Sequence, residues 1–260
     1  MRICNKRFSK KKKNQKKNII NVQKINFKLG DASLDLRYLL DRGYSREQSV
    51  SIVGNRYNLN SKERNLLYRC IFSKRDVLVH INRLVSKKEL EDKKLCIDGY
   101  NVLIIVESYL KGKEIILCDD GFLRDISGVY GKYRFGKISE KAVEKILKAL
   151  KELRVREVEV FFDSRVSFSG QLSSYFMERA EGYNIPLKAV AVKQGDAMVL
   201  RCSGIPCSGD RSIIEKAEQI FDLAHYIIPE DDIVNYPSLI NPRVLRQGLA
   251  DASSELIRRY

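Results

Sequence analysis

Four aspartates stand where short apolar runs end or where a helix would begin. Asp98 follows "KLCI", Asp163 follows "EVEVFF", Asp196 heads "GDAMVLRC" and Asp210 follows "GIPCSG". An acid at such a place is either the N-cap of the next helix, accepting its unpaired N–H groups, or an oxygen ligand aimed into a cleft. Asp196 and Asp210 fit the capping reading, and Asp163 has Arg165 close by for an ion pair. Asp98 fits it poorly, since the apolar run resumes at Val102. Carboxylates crowded together repel and raise one another's pKa unless a cation neutralises them. Three or four in one place therefore point to Mg²⁺ or Mn²⁺, which take oxygen ligands, and to metal-assisted hydrolysis of a phosphodiester.

Whether these acids meet depends on the elements that carry them. From residue 94 onward, "KLCI", "EVEVFF", "IPLKAVAV", "GIPCSG" and "HYIIP" read as strands. Between them lie helical stretches. "SEKAVEKILKALKEL" has Val143, Ile146, Leu147, Leu150 and Leu153 on one face with Ser139 as its cap, and "DRSIIEKAEQIFDLA" has Ile213, Ile214, Ala217 and Phe221. Alternating strands and helices, with strands almost continuously apolar, predict an α/β fold: a three-layer α/β/α arrangement around a mostly parallel sheet of about five strands. Ligands of such sheets gather beyond the carboxyl ends of the strands, which is where Asp98, Asp163 and Asp210 would converge.

The residues before the sheet read differently. Residues 31–88 form a small helical domain and linker, with Gly43 ending one helix, Ser45 and Gln48 boxing the next, and Ser61 capping a third. Such a unit is a packing or partner module or a DNA-binding helix-turn-helix. Residues 1–30 hold eleven of the 48 Lys/Arg and no acid, while the rest carries 37 bases against 33 acids. That tail is expected to be disordered and to serve as a phosphate-backbone arm. Residues 89–235 make up the α/β domain, and residues 236–260 read as a closing helix with Pro242 in its first turn.

"IDGYNVLI" resembles the opening strand of the NYN branch of the PIN-like nucleases, to which the YacP-type ribonucleases belong. "VFFDS" is similar to that family's second acidic strand, "GDAMVL" to its acidic helix start and "SGDRSII" to its late serine-x-aspartate element, in matching order over residues 94–230. The resemblance implies a PIN-like sheet, Mg²⁺ or Mn²⁺ held by Asp98, Asp163, Asp196 and Asp210 as metal-binding and catalytic residues, and cleavage of RNA to leave a 5′-phosphate. It gives Asn101 and Ser208 supporting roles. The whole chain, with its "DLRYLLDRGYSREQSVSIVGNRYNLN" segment, also resembles a largely archaeal group of proteins of unknown function.

An apparent insertion, residues 111–136, separates the first strand from the long helix. Asp120-Gly121 between apolar runs reads as a hairpin turn, with Asp119 and Asp120 the alternative reach of an acid to the site. "GKYRFGKI" imitates a phosphate-binding loop, but Ile138 stands where Ser or Thr must hold Mg²⁺. Its bases and aromatics, Lys132, Tyr133, Arg134 and Lys137, suit either a nucleic-acid surface, joined by Arg165 and Arg211, or a solubilised hairpin edge. Six cysteines form no CxxC pattern and histidines number two, so zinc and a disulfide framework are not expected, and buried reduced thiols are. No apolar run is long enough to span a bilayer and the start lacks a signal-peptide core, so a cytoplasmic location is expected. These readings favour a metal-dependent ribonuclease. The alternatives are a non-catalytic RNA-binding or regulatory protein on the same fold, and a transcription factor built on residues 31–75.

Overall fold

A computed structural model describes residues 28–126 and 133–234. The basic tail up to residue 27, Lys132 and the closing helix expected over 236–260 lie outside the described residues.

The described residues begin with helix α1 (28–41), which ends through Gly43 at φ +81°, a left-handed turn conformation that glycine adopts without strain. Helices α2 (Arg46–Arg56), α3 (Ser61–Cys70) and α4 (Lys74–Arg83) follow. Ser45 caps α2 by accepting the Gln48 N–H, but α3 is capped by Asn60 rather than Ser61. Asn60 and Glu63 form the reciprocal box, because Asn60 sits one residue earlier in extended backbone and its side chain reaches the Glu63 N–H at 3.0 Å. Leu29, Leu36, Val53, Leu66 and Leu67 make the core of this region.

Strands β1 (Lys94–Asp98), β4 (Glu157–Asp163), β5 (Leu187–Val192) and β6 (Ile205–Cys207) form a four-stranded sheet in the order β5-β4-β1-β6, every pairing parallel. Register sets Asp98 beside Phe161 and Asp163 beside Val192. Leu95, Ile97, Val158, Val160 and Phe162 pack in one cluster with residues of α5 (Gly99–Leu110), α6 (Lys137–Glu152) and α7 (Ser169–Glu181). Cys96 and Phe161, of opposite parity on their strands, pack with Val199 of α8 (Gly195–Arg201) and with Ile213 and Ile214 of α9 (Arg211–Ile214). Alternate side chains of a strand point to opposite faces, so the two apolar clusters follow from the period of two.

Three expectations change. "HYIIP" is not a fifth strand: Leu223–Ile227 is helix α10, capped by Asp222, and the sheet is extended instead by isolated parallel bridges at Ile220 and Phe221. A five-residue apolar run does not distinguish strand from helix, and the Asp222 cap decides it. The helix expected to run through residues 210–224 is a single turn, Arg211–Ile214. Ser139 lies inside α6, whose cap position is Gly136, and its Oγ accepts the Gly136 N–H at 3.2 Å.

The insertion is a hairpin, β2 (Ile115–Leu117) and β3 (Leu123–Asp125) paired antiparallel around the Asp120-Gly121 turn, with Gly121 at φ +84°. Ile116 and Cys118 bury themselves among the helices of the N-terminal region, while Leu123 packs beside Ile105 of α5. The hairpin thus joins the helices to the sheet domain. Cys96 and Cys202 are joined by a disulfide, against the expectation of reduced thiols, while Cys70, Cys118 and Cys207 are buried free thiols. Among the described residues no helix is long and apolar enough to cross a membrane.

Candidate functional site

The sheet ends at one rim, and two loops of that rim are tied together. Asp98 closes β1 and caps α5, its Oδ1 accepting the Asn101 N–H at 3.4 Å. The apolar run that resumes at Val102 is therefore helix α5, buried over most of its surface, and the capping role discounted for Asp98 is one it performs. Ser208, just past β6, donates its hydroxyl to Asp98 Oδ2 at 2.9 Å and accepts the Asp210 N–H at 3.0 Å. Asn101 Oδ1 accepts the Gly209 N–H at 2.7 Å. Asp210 caps α9, accepting the Ser212 N–H at 2.7 Å. Two caps from segments far apart in sequence are thus locked side by side by Ser208 and Asn101. The junction leaves no room for larger residues: a Cβ on Gly99 would lie 2.4 Å from the Phe162 ring, and one on Gly209 2.9 Å from the Leu123 carbonyl oxygen.

Asp98, Asp163, Asp196 and Asp210 all line one cleft of about 470 Å³, walled by Tyr100, Tyr133 and Gly195. Asp98 is half-buried, and loss of hydration raises its pKa from 3.8 to about 7. The Ser208 hydroxyl and the Asn101 N–H oppose that rise, and the nearby charges of Asp196 and Asp210 add to it. Asp196 is raised as well, by burial first and then by Asp210 and Asp163. Asp163 goes the other way: Arg165 donates its backbone N–H at 2.9 Å and its Nε at 3.0 Å, holding the carboxyl below its usual range.

An all-carboxylate lining in which Asp98 and Asp196 have raised pKa values has the chemistry a hard divalent cation requires. The side chains do not form a ready-made shell, however: among the described residues no three His, Cys, Asp or Glu groups stand close enough to hold one ion. The four acids share a cleft rather than a coordination sphere.

The other sequence candidates divide. Asp119 and Asp120 lie away from the cleft, buried where the hairpin meets the helices. Asp119 pairs with Arg37 and accepts the Phe72 N–H at 3.1 Å, and burial raises its pKa to about 7 even so. Burial would raise Asp120 also, but Arg124, at 2.6 and 2.7 Å, and His80 at 2.9 Å outweigh it and hold it at about 2. Both acids are docking residues, and the supporting site role expected for them is withdrawn. Tyr133 is no open stacking platform: it is buried, its ring edge-on to Tyr100, its hydroxyl bonded to Glu107 and Ser139 at 2.9 Å each. Arg134 and Lys137 are exposed but do not line the cleft, Arg165 does line it, and Arg211 lines a neighbouring cavity. Sequence reading missed Tyr100, which walls the cleft and whose hydroxyl is pushed up to about 12 by burial and then by Asp163. It also missed Arg46, Arg69 and Arg124, scattered among helix and hairpin residues with no shared spacing.

The fold and site together define an α/β protein with a parallel sheet, an acidic cleft at its carboxyl rim and a helical region docked through a hairpin. Residues 87–226, more than half of the chain, match the family model described as a domain of unknown function, DUF5616, and the chain belongs to that family. Residues 28–82 match a second model, described as a protein of unknown function, DUF434. The chain is 33% identical over 189 residues to an uncharacterized protein of Methanocaldococcus jannaschii, MJ0935, over 73% of this chain and 89% of that relative. No solved structure matches the chain. The expected kinship with an archaeal group of unknown function therefore holds, and none of these descriptions names an activity.

Proposed function

We propose that this protein is a metal-dependent ribonuclease with a PIN-like three-layer α/β/α domain, cleaving phosphodiesters of RNA at the acidic cleft. The single observation that carries the reading is the gathering of Asp98, Asp163, Asp196 and Asp210 around one cleft at the carboxyl rim, with Asp98 at a pKa of about 7. Caps do not require such crowding, and a bound Mg²⁺ or Mn²⁺ relieves it. Asp98, Asp196 and Asp210 would hold the ion by drawing together around it, since no three described side chains stand close enough without it; Ser208 orients Asp98, and Asn101 fixes the loop that carries Asp210. A divalent ion held there would supply an activated water and offset charge developing on the phosphate. Asp98→Asn should abolish Mn²⁺-dependent cleavage of single-stranded RNA while preserving the circular-dichroism spectrum. Cleavage at the parent's rate would remove the assignment.

The Arg165–Asp163 ion pair favours a second reading, an RNA-binding protein without catalysis, because it already neutralises one of the four acids with a side chain rather than a metal. Binding of RNA that is indifferent to EDTA, with no products in Mn²⁺, would select it.

A further inference from the structure

Next to the acidic cleft, between the helical region and the sheet domain, lies a second cavity of about 310 Å³, within the range of ligand sites. Ile104 and Asp210 line both cavities, so the two are contiguous. Its distinctive lining is cationic: Arg69 from α3, Arg124 from β3 and Arg211 from α9, with the half-exposed Tyr68 at its edge. Arg124 is already matched by Asp120 through two hydrogen bonds. Arg211 pairs with Glu215 at 3.1 Å, a surface contact with both partners about 44% exposed, of the kind that contributes little. Arg69 donates to a backbone carbonyl, Asp125 O, at 3.0 Å, which satisfies an N–H without cancelling the charge. Asp125 itself turns a carboxylate oxygen to the Ser108 hydroxyl at 2.9 Å.

Behind this lining stands Arg46, buried, donating to the carbonyls of Tyr68 at 2.8 Å and of Ile71. Its guanidinium lies 4.6 Å from the Phe72 ring centroid and 5.8 Å from that of Tyr68. Burial, and then the charge of Arg211, lower its pKa. Arg124 has its carboxylate and Arg211 an exposed one, while Arg69 and Arg46 donate to carbonyl oxygens that leave their charge in place; the ligand that matches guanidinium groups so drawn together is an anion with several oxygens.

We propose that this arginine-lined cavity binds the phosphate of the nucleotide adjoining the one in the acidic cleft, so that a single RNA strand passes from one cavity to the other over Ile104 and Asp210. The proposal rests on the RNA-cleaving reading of the cleft, and adds to it a binding subsite built by the helical region. Tyr68, exposed at the rim, offers a ring face for the attached base. The helical region then has a purpose in catalysis: it supplies Arg69 and Tyr68 to a site the sheet domain leaves half built.

The test measures binding apart from cleavage. A fluorescein-labelled hexauridylate is titrated with the full chain in EDTA across a series of salt concentrations, reading anisotropy. The Arg69→Gln/Arg211→Gln double variant should bind about tenfold more weakly, with the slope of log K against log salt shallower by about 1. Unchanged affinity and slope overturn the proposal. Should the double variant fail to fold, Arg211→Gln alone, at an exposed position, carries the test with an expected loss of about threefold. Asp98→Asn separates the two readings. Lost cleavage in that variant with parent-like binding by the arginine variant leaves the nuclease and removes the subsite. Weakened binding by the arginine variant, with no cleavage by the parent in Mn²⁺, keeps the subsite and removes the nuclease.

Discussion

Replacing Asp98 by asparagine should make the protein more stable at neutral pH, and the gain should vanish in acid. The carboxyl pKa rises from 3.8 to about 7 on folding, which at ~1.36 kcal/mol per unit corresponds to about 4 kcal/mol. The sign follows from proton counting. Between those two values the folded state keeps a proton that the unfolded chain has lost, so stability is full below pH 3.8 and declines until the pH passes about 7. Asparagine carries no charge to desolvate and caps helices as well as aspartate does, its one oxygen keeping the Asn101 N–H while its amide N–H donates to the Ser208 hydroxyl oxygen in place of the bond the carboxylate accepted. Asp119 is raised to about 7 also, but it is present in both proteins and cancels in the comparison. Urea unfolding of parent and Asp98→Asn in EDTA, from acid to mildly alkaline pH, should give curves that coincide near pH 4 and separate by about 2–4 kcal/mol above pH 7. Mn²⁺ at about a hundred times its dissociation constant should then return about 2.7 kcal/mol to the parent and nothing to the variant. Parallel curves, or a variant less stable than the parent at high pH, would show that Asp98 is an ordinary cap, stably ionised, and would undo the physical basis for a bound cation.

Two further outcomes concern the framework that holds the cleft. Asp120→Asn leaves Arg124 and His80 buried against a neutral partner and should destabilise the protein by about 3–5 kcal/mol in urea unfolding. Because Asp120 is held at about 2, the stabilisation it provides should be complete above pH 3.8 and fade as pH falls toward 2. Reducing the Cys96–Cys202 disulfide, which spans 106 residues of sequence, should cost about 2–4 kcal/mol, read as a drop in thermal midpoint on adding dithiothreitol; an unchanged midpoint would mean that the bond contributes nothing to the fold.

Much of the sheet was legible because its strands are short apolar runs bounded by polar residues, and a parallel sheet sends their carboxyl ends to one rim. β1, β4, β5 and β6 are where the runs are, and Pro206 is tolerated in β6 because β6 is the edge of the four-stranded sheet and Pro206 turns its carbonyl to Phe221 rather than β1, so the N–H it lacks is not one β1 needs. Two of the failures share a cause, helices without a periodic face. α5 is buried nearly all round, so "NVLII" shows no 3.6-residue rhythm, and nothing marks Asp98, the end of β1, as the cap of a helix as well. α10 is five residues long, too short for any period to register. The disulfide and the arginine cavity depend on residues brought together only by tertiary packing. Nothing in the local sequence around Cys96, Cys202, Arg69 or Arg124 marks them.

Asp98 and Asp210 are both helix caps, and a cap alone would explain neither the choice of residue nor the arrangement. Serine, threonine or asparagine satisfies the same N–H groups without a charge to desolvate. An exposed capping aspartate has its pKa lowered by the N–H groups it accepts. Here Asp98 accepts two hydrogen bonds and is still raised to about 7, because burial and two neighbouring acids outweigh them. Ser208 and Asn101 hold that unfavourable arrangement in place instead of letting the loops relax apart. A structure that fixes repelling acids with hydrogen bonds of its own requires a positive partner, and at this rim the candidates are a proton, Arg165 or a divalent ion. Arg165 is taken up by Asp163. A proton would leave Asp98 a neutral acid near pH 7, able to donate to a leaving oxygen, and an ion would make it a ligand. On the proposed reading both place the chemistry at Asp98, so measuring its charge state tests that reading.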